Sequence, residues 1–228
     1  MSILFEAPVF NAESALRAAG AGVDRLELCS SFSEGGETPG VGMLQWVKQK
    51  MNIPVFVMIR PRGGNFIYTS DEIEVMNREI DLLNNAGADG FVFGILNNDH
   101  SINSDACREL IGAAGGKPCT FHRAFDSCRN PLEGLQTSIE CGFSRILTSG
   151  MKENVSEGLE EIIRLLKIAE RKIIIMPGGG LMPEHLPLLM ETGLLQDIHA
   201  SCIARKRRED IPLFEDDIFN KFQNWLHG

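Results

Sequence analysis

Cys119-Thr120-Phe121-His122-Arg123-Ala124-Phe125-Asp126 is a short apolar run that ends in an imidazole, a guanidinium and a carboxylate. On a strand the side chains alternate between faces, so Thr120 and His122 point one way while Cys119, Phe121 and Arg123 point the other. If the first pair faces the middle of a closed sheet, His122 stands at its mouth. The rest of the chain decides whether such a sheet exists and what surrounds the histidine.

Working outward, apolar runs like this one begin near Ile3, Arg25, Val55, Gly90, Cys119, Arg145, Ile173 and Asp197. They recur about every twenty to thirty-five residues, the length of one strand-helix unit. The segments between them carry helical periodicity, with Leu159, Ile162, Ile163, Leu166 and Ala169 on one face and Ile73, Met76, Ile80 and Leu83 on another. Asn11, Ser70 and Asn130 are candidate helix caps. Gly22, Gly87, Gly142 and Gly193 precede strands, where a left-handed residue ends a helix and turns the chain. Eight such units with nearly continuous apolar strands predict an α/β fold, a (β/α)8 TIM barrel, as one domain over residues 1–228. An open doubly wound sheet would need a glycine-rich turn after its first strand, and Ala7-Pro8-Val9-Phe10-Asn11 is not one.

The chain has 228 residues and a formal net charge of -9. That balance argues against a general nucleic-acid partner, which needs a concentrated basic field. The one basic cluster, Arg205-Lys206-Arg207-Arg208, is followed at once by Glu209 and Asp210 and reads as a solvated loop. No apolar stretch approaches membrane-spanning length, and the first residues lack a basic leader. A cytoplasmic protein with six unpaired thiols is expected; among them Cys107 and Cys141 read as small buried apolar groups.

In a barrel the strand ends converge on one rim. There the sequence places Glu6, Glu27 with Cys29, Arg60 with Arg62, His122 with Arg123 and Asp126, Thr148 with Ser149, Gly178, Gly179 and Gly180, and His199. Glu27 and Cys29 share strand parity and should face inward beside Glu6, with Arg60 as the nearest countercharge. Such a layer is either a structural ion network or part of an active site. Arg62 is expected to reach solvent or a ligand more readily than Arg60. The Met176-Pro177-Gly178-Gly179-Gly180 turn lies where barrel enzymes often bind phosphate. His100, His185 and His227 read as surface groups.

Several of these motifs together resemble the CutC family, named for copper homeostasis: Val23 through Cys29, Glu34 through Pro39, Met58 through Phe66, Thr120 through Asp126, Ile146 through Gly150 and Met176 through Gly180. The resemblance covers about residues 3–202, leaving a divergent tail over 203–228 in which Phe214 through Leu226 read as a last helix. It implies a TIM barrel, a homo-oligomer and a role in handling copper as Cu(I), with Cys29 as principal donor and Cys202 or His199 as helpers. Cu(I) prefers soft donors and would need at least two. Many relatives carry a second cysteine shortly after the strand-one glutamate, where this chain reads Glu6-Ala7-Pro8.

The residues by themselves point to a second function: an enzyme acting on a small anionic, phosphorylated or otherwise charged, substrate. His122 would then be general acid or base, Glu27 or Asp126 the complementary carboxylate, and Arg60, Arg62 and the glycine turn the anion holders. An amine nucleophile is not expected, since Lys152 lies beyond Gly150 in a loop.

Overall fold

The computed structural model describes residues 3–203 and 210–227. Eight strands alternate with helices: β1 Leu4–Val9, β2 Arg25–Leu28, β3 Val55–Met58, β4 Gly90–Phe93, β5 Cys119–Phe121, β6 Arg145–Thr148, β7 Ile174–Pro177 and β8 Asp197–His199. Each run singled out in the sequence is one of these strands. All neighbours pair in parallel in the order β7-β6-β5-β4-β3-β2-β1-β8. The last two strands lie side by side without a hydrogen-bonded ladder between them, so the barrel is closed in space and nearly closed in hydrogen bonds.

The outer ring is α1 Ala12–Ala21, α2 Val41–Lys50, α3 Ser70–Asn85, α4 Ser104–Ala113, α5 Pro131–Cys141, α6 Val155–Ala169, the short α7 Leu186–Met190 and α8 Asp216–His227. Met76, Ile80 and Leu83 of α3 and Ile162, Leu166 and Ala169 of α6 are buried against the strands, as their spacing predicts. Asn11 and Asn130 cap their helices; at α3 the cap is Thr69, one residue before Ser70, with Glu72 completing a capping box. The four glycines that end helices before strands all adopt positive φ.

At the C-terminal end, Phe214 sits in an isolated bridge with Ile203, and α8 begins two residues later than the sequence periodicity indicates. Its Phe219 and Phe222 pack edge-on against Phe5 of β1. The basic cluster Arg205 to Arg208 lies outside the described residues. No helix among the described residues is long and apolar enough to cross a membrane.

The barrel interior is ionic rather than aliphatic. Arg25 Nε donates to Glu6, and its Nη2 donates to Asp197 Oδ2 at 2.8 Å; Arg145 Nε lies 3.3 Å from the same Asp197 oxygen, and Arg145 Nη1 donates to Thr120 Oγ1 at 3.3 Å. Both guanidinium groups lie over the Phe56 ring, at 4.7 and 4.9 Å. The ring fits because Gly90 stands opposite it in register, where a Cβ would come within 2.6 Å. Arg60 therefore is not the countercharge of the buried carboxylates. Arg25 and Arg145 are.

Candidate functional site

Above this layer, at the C-terminal ends of the strands, a chamber of about 940 Å³ opens. Its lining includes Glu27, Met58, Arg60, Phe66, His122 and His199. All but Phe66, which comes from the loop between β3 and α3, lie on or just past β2, β3, β5 and β8, where alternation turns them inward.

Glu6, His199 and Glu27 form a continuous buried chain. His199 Nδ1 bonds Glu6 Oε1 at 2.9 Å, and its Nε2 faces Glu27 Oε2 at 3.8 Å. The register that pairs Glu6 with His199 across β1 and β8 sets this contact. Burial opposes ionisation of Glu6, but Arg25 and His199 outweigh it and hold its pKa down at about 2. Burial also disfavours a charged His199, yet Glu27 and Glu6 override it and raise the imidazole's pKa. For Glu27 burial wins: the carboxyl is pushed up to about 7, with His199 pulling the other way and Glu6 adding to the rise. A saturated ion layer thus ends, at the chamber, in a carboxyl poised near neutrality.

Cys29 lies beside this group, its thiol 3.6 Å from Glu27 Oε2, in a small cluster with Phe56, Met58 and Val92. Burial, reinforced by Glu27, keeps the thiol protonated well above its ordinary range. Cys202 lines the chamber from after β8, and burial pushes its thiol up to about 12. The ligand atoms of Glu6, Glu27 and His199 lie within 4.8 Å of one another and make the one acidic-histidine group of metal-binding geometry among the described residues. That donor set is hard to borderline, with one adjacent thiol, and does not match the paired soft donors that Cu(I) prefers.

Arg60 is buried, and its guanidinium donates to three backbone carbonyls: Glu34 at 2.6 Å, Gly36 at 3.0 Å and Gly64 at 2.9 Å. No carboxylate neutralises it within salt-bridge range among the described residues. Arg62 turns away, paired with Glu72, donating to Ile67 O at 2.8 Å and stacked on Tyr68. Arg62 reaches solvent more readily than Arg60, as the sequence suggests, but it is Arg60 that lines the chamber, because the Thr69 capping box presents Glu72 to Arg62.

His122 is 3% exposed and caps the 3-10 turn Arg123–Ser127 by accepting from Ala124 N at 3.2 Å through Nδ1. Burial, with the charge of Arg60 adding to it, depresses its pKa to about 3. At neutral pH it is an uncharged imidazole rather than a proton carrier.

Asp126 and Arg123 are held by the mouth itself. Asp126 accepts from Thr148 Oγ1, from the N–H groups of Ser149 and Met151, from Ser149 Oγ at 2.9 Å and from Arg123 Nε at 2.9 Å. Its oxygens are saturated, which fits a pin for the β6 loop better than an acid-base group. Thr148, Ser149 and Gly178 lie outside the chamber lining. Gly179 and Gly180 do line it, but a Cβ on Gly179 would come within 2.7 Å of the Arg123 guanidinium, so the close approach this glycine permits is to the chain's own arginine. His185, expected at the surface, is buried and bonded to Ser156 Oγ and Met182 N. His100 is exposed; the His227 side chain lies outside the described residues.

Arg25, Arg145 and Asp197 escape a reading that attends to strand ends. The available signal was parity: Arg25 shares its face with Glu27, and Asp197 shares its face with His199.

A parallel eight-stranded barrel with its polar chamber at the C-terminal mouth defines a TIM-barrel protein. Within that class, residues 3–204 match the CutC family model, and the chain belongs to the CutC family. It is 47% identical over 206 residues to the human "Copper homeostasis protein cutC homolog", covering 90% of this chain and 75% of that one. The mouse homolog of the same name is 45% identical with the same coverage. A crystal structure of CutC from Streptococcus agalactiae superposes with a TM-score of 0.80 at 34% identity, covering 86% of this chain and 98% of that one.

Proposed function

We propose that the chain is an enzyme that carries out acid-base chemistry on a small anionic substrate in the barrel mouth. The observation behind this reading is that one chamber holds both a buried guanidinium without a carboxylate partner, Arg60, and the Glu6-His199-Glu27 chain ending in a carboxyl near neutral pKa. An uncompensated buried charge is costly unless a ligand supplies the opposite sign. A carboxyl whose pKa lies near the working pH can take and return a proton without a large driving-force penalty. Arg25 fixes Glu6, Glu6 fixes His199, and His199 stabilises Glu27 as it ionises. A cytoplasmic setting is supported by six free cysteines. Self-association rests on the family resemblance.

Proton abstraction leaves its mark whatever the product: a carbon-bound hydrogen exchanges with solvent. The protein is incubated in D2O with pyruvate and with dihydroxyacetone phosphate, and loss of C–H signal is followed by proton NMR. Exchange that disappears in Glu27→Gln supports the reading. No exchange, and no thermal stabilisation by either compound that depends on Arg60, sinks it.

A copper-handling role is the second reading, favoured by the names of the relatives and by Cys29 standing next to Glu27. Copper is here a cargo. The soft donors at hand are Cys29 and the Met58 thioether: a Cβ on Gly36 would meet the Cys29 sulfur at 3.3 Å and the Met58 methyl at 3.5 Å. Competition for Cu(I) against bicinchoninate checks it. Binding of one equivalent that is lost in Cys29→Ser supports the role, and identical titrations of the two proteins would remove it.

A further inference from the structure

Five buried side-chain polar atoms lack a hydrogen-bond partner among the described residues, and three of them belong to side chains that line the one chamber: His122 Nε2, Arg60 Nε and Glu27 Oε1. Of the other two, Arg145 Nε lies 3.3 Å from Asp197, and the Tyr68 hydroxyl faces the Arg60 guanidinium from outside the chamber lining. Buried polar groups are ordinarily satisfied, so orphans gathered around one chamber describe the missing partner. Two are N–H donors. One is a carboxyl oxygen.

The state of the His122 ring follows from its contacts. Nδ1 accepts the Ala124 N–H, so it carries no proton, and the single proton of the neutral imidazole is on Nε2. The ring cannot turn to use Nδ1 instead without losing the cap of the Arg123–Ser127 turn. It is also packed tightly: its centroid lies 4.8 Å from that of Phe66, and a Cβ on Gly94 would reach Nδ1 at 2.8 Å. Phe66 in turn carries the Arg60 guanidinium over its ring at 5.0 Å. One aromatic ring therefore positions both donors.

We propose that His122 is a fixed hydrogen-bond donor, through Nε2–H, to a carbonyl oxygen of the substrate, with Arg60 beside it and Glu27 taking the proton from the neighbouring carbon. This rests on the acid-base reading above and narrows its substrate to carbonyl compounds that carry a negative charge. In the step so assigned, a C–H bond next to the carbonyl breaks and its proton passes to the Glu27 carboxylate. The C–H electron pair forms a carbon-carbon double bond, and the carbonyl π pair moves onto oxygen, where the His122 N–H meets the developing charge. Return of the proton restores the starting atoms, and no further reactant is needed. A neutral imidazole suits this role, since it donates to an oxyanion without giving up its proton.

The experiment is nitrogen-15 NMR of the wild-type protein with labelled histidine, the His122 signals being assigned by their absence in His122→Gln. Without ligand, the ring should show a protonated Nε2 and an unprotonated Nδ1 at pH 7. An imidazolium or a proton on Nδ1 overturns the proposal at once. With pyruvate or dihydroxyacetone phosphate added, the Nε2 signal should move while Nδ1 stays, and acetate, which has no keto group, should leave Nε2 unmoved. Affinity should fall about tenfold in His122→Phe and by less than about threefold in His122→Gln, which keeps an N–H donor. An unmoved Nε2 with both compounds overturns the proposal. If Glu27-dependent exchange persists in that case, the enzyme reading survives it; if Nε2 moves without any exchange, the donor stands and the acid-base reading fails.

Discussion

The two levels of the barrel interior use the same residue types to opposite ends. In the lower level Arg25, Arg145, Asp197 and Glu6 neutralise one another across four strands, Arg145 Nε alone lacking a hydrogen bond though 3.3 Å from Asp197, and Phe56 fills the space between the guanidinium groups. In the upper level Arg60, Glu27 and His122 each keep one atom without a partner. Charge inside a barrel is thus not itself a sign of function. What separates framework from site is whether the polar groups close on themselves or stop short.

Breaking the lower level should have the largest effect. Arg25→Met leaves Glu6 and Asp197 short of a buried countercharge and should cost about 3–5 kcal/mol in urea unfolding. A loss under about 1 kcal/mol would mean the layer is wet or loosely held, and the contrast between levels would fall.

Glu27 sharpens the contrast from the other side. Its folded pKa, about 7, lies above its ordinary 4.5, so the folded state prefers the protonated form. The resulting stabilisation is complete below about pH 4.5 and is lost as pH rises through 7. Glu27→Gln does not ionise. Its unfolding free energy relative to wild type should therefore rise from pH 5 to pH 8, while exchange activity disappears; a difference that is flat or falls with pH would show that Glu27 is not the strained member of the pair.

The smallest effect is expected at Arg62. It is tied to Glu72 outside the chamber, so Arg62→Met should lower stability by about 1 kcal/mol and leave affinity for pyruvate within about twofold. Comparable losses of affinity in Arg60→Met and Arg62→Met would erase the distinction between the two arginines.

The architecture was open to a reading of the sequence because parallel strands buried on both faces leave unbroken apolar runs, and the helices between them keep a 3.6-residue period. The gathering of Glu27, His122 and His199 around one chamber followed from closure of those strands, with Glu6 one level below, bonded to His199. The arginines were harder. Arg60 and Arg62 differ by two residues and have the same strand parity, and the loops decide between them: Glu72 at the start of α3 takes Arg62, while the carbonyls of Glu34, Gly36 and Gly64 take Arg60. The charge state of His122 was likewise out of reach, since it depends on the Ala124 N–H and the Phe66 ring rather than on residue type.

Phe5, in the first strand, is covered by Phe219 and Phe222 of the last helix, and Asn11 and Ser14 donate to the Pro212 carbonyl. During synthesis the earliest strand must wait, its apolar face uncovered, for a segment some two hundred residues downstream to emerge. Completion of the barrel is therefore a late, non-local event, and the interval before it is when the nascent chain is most exposed to aggregation.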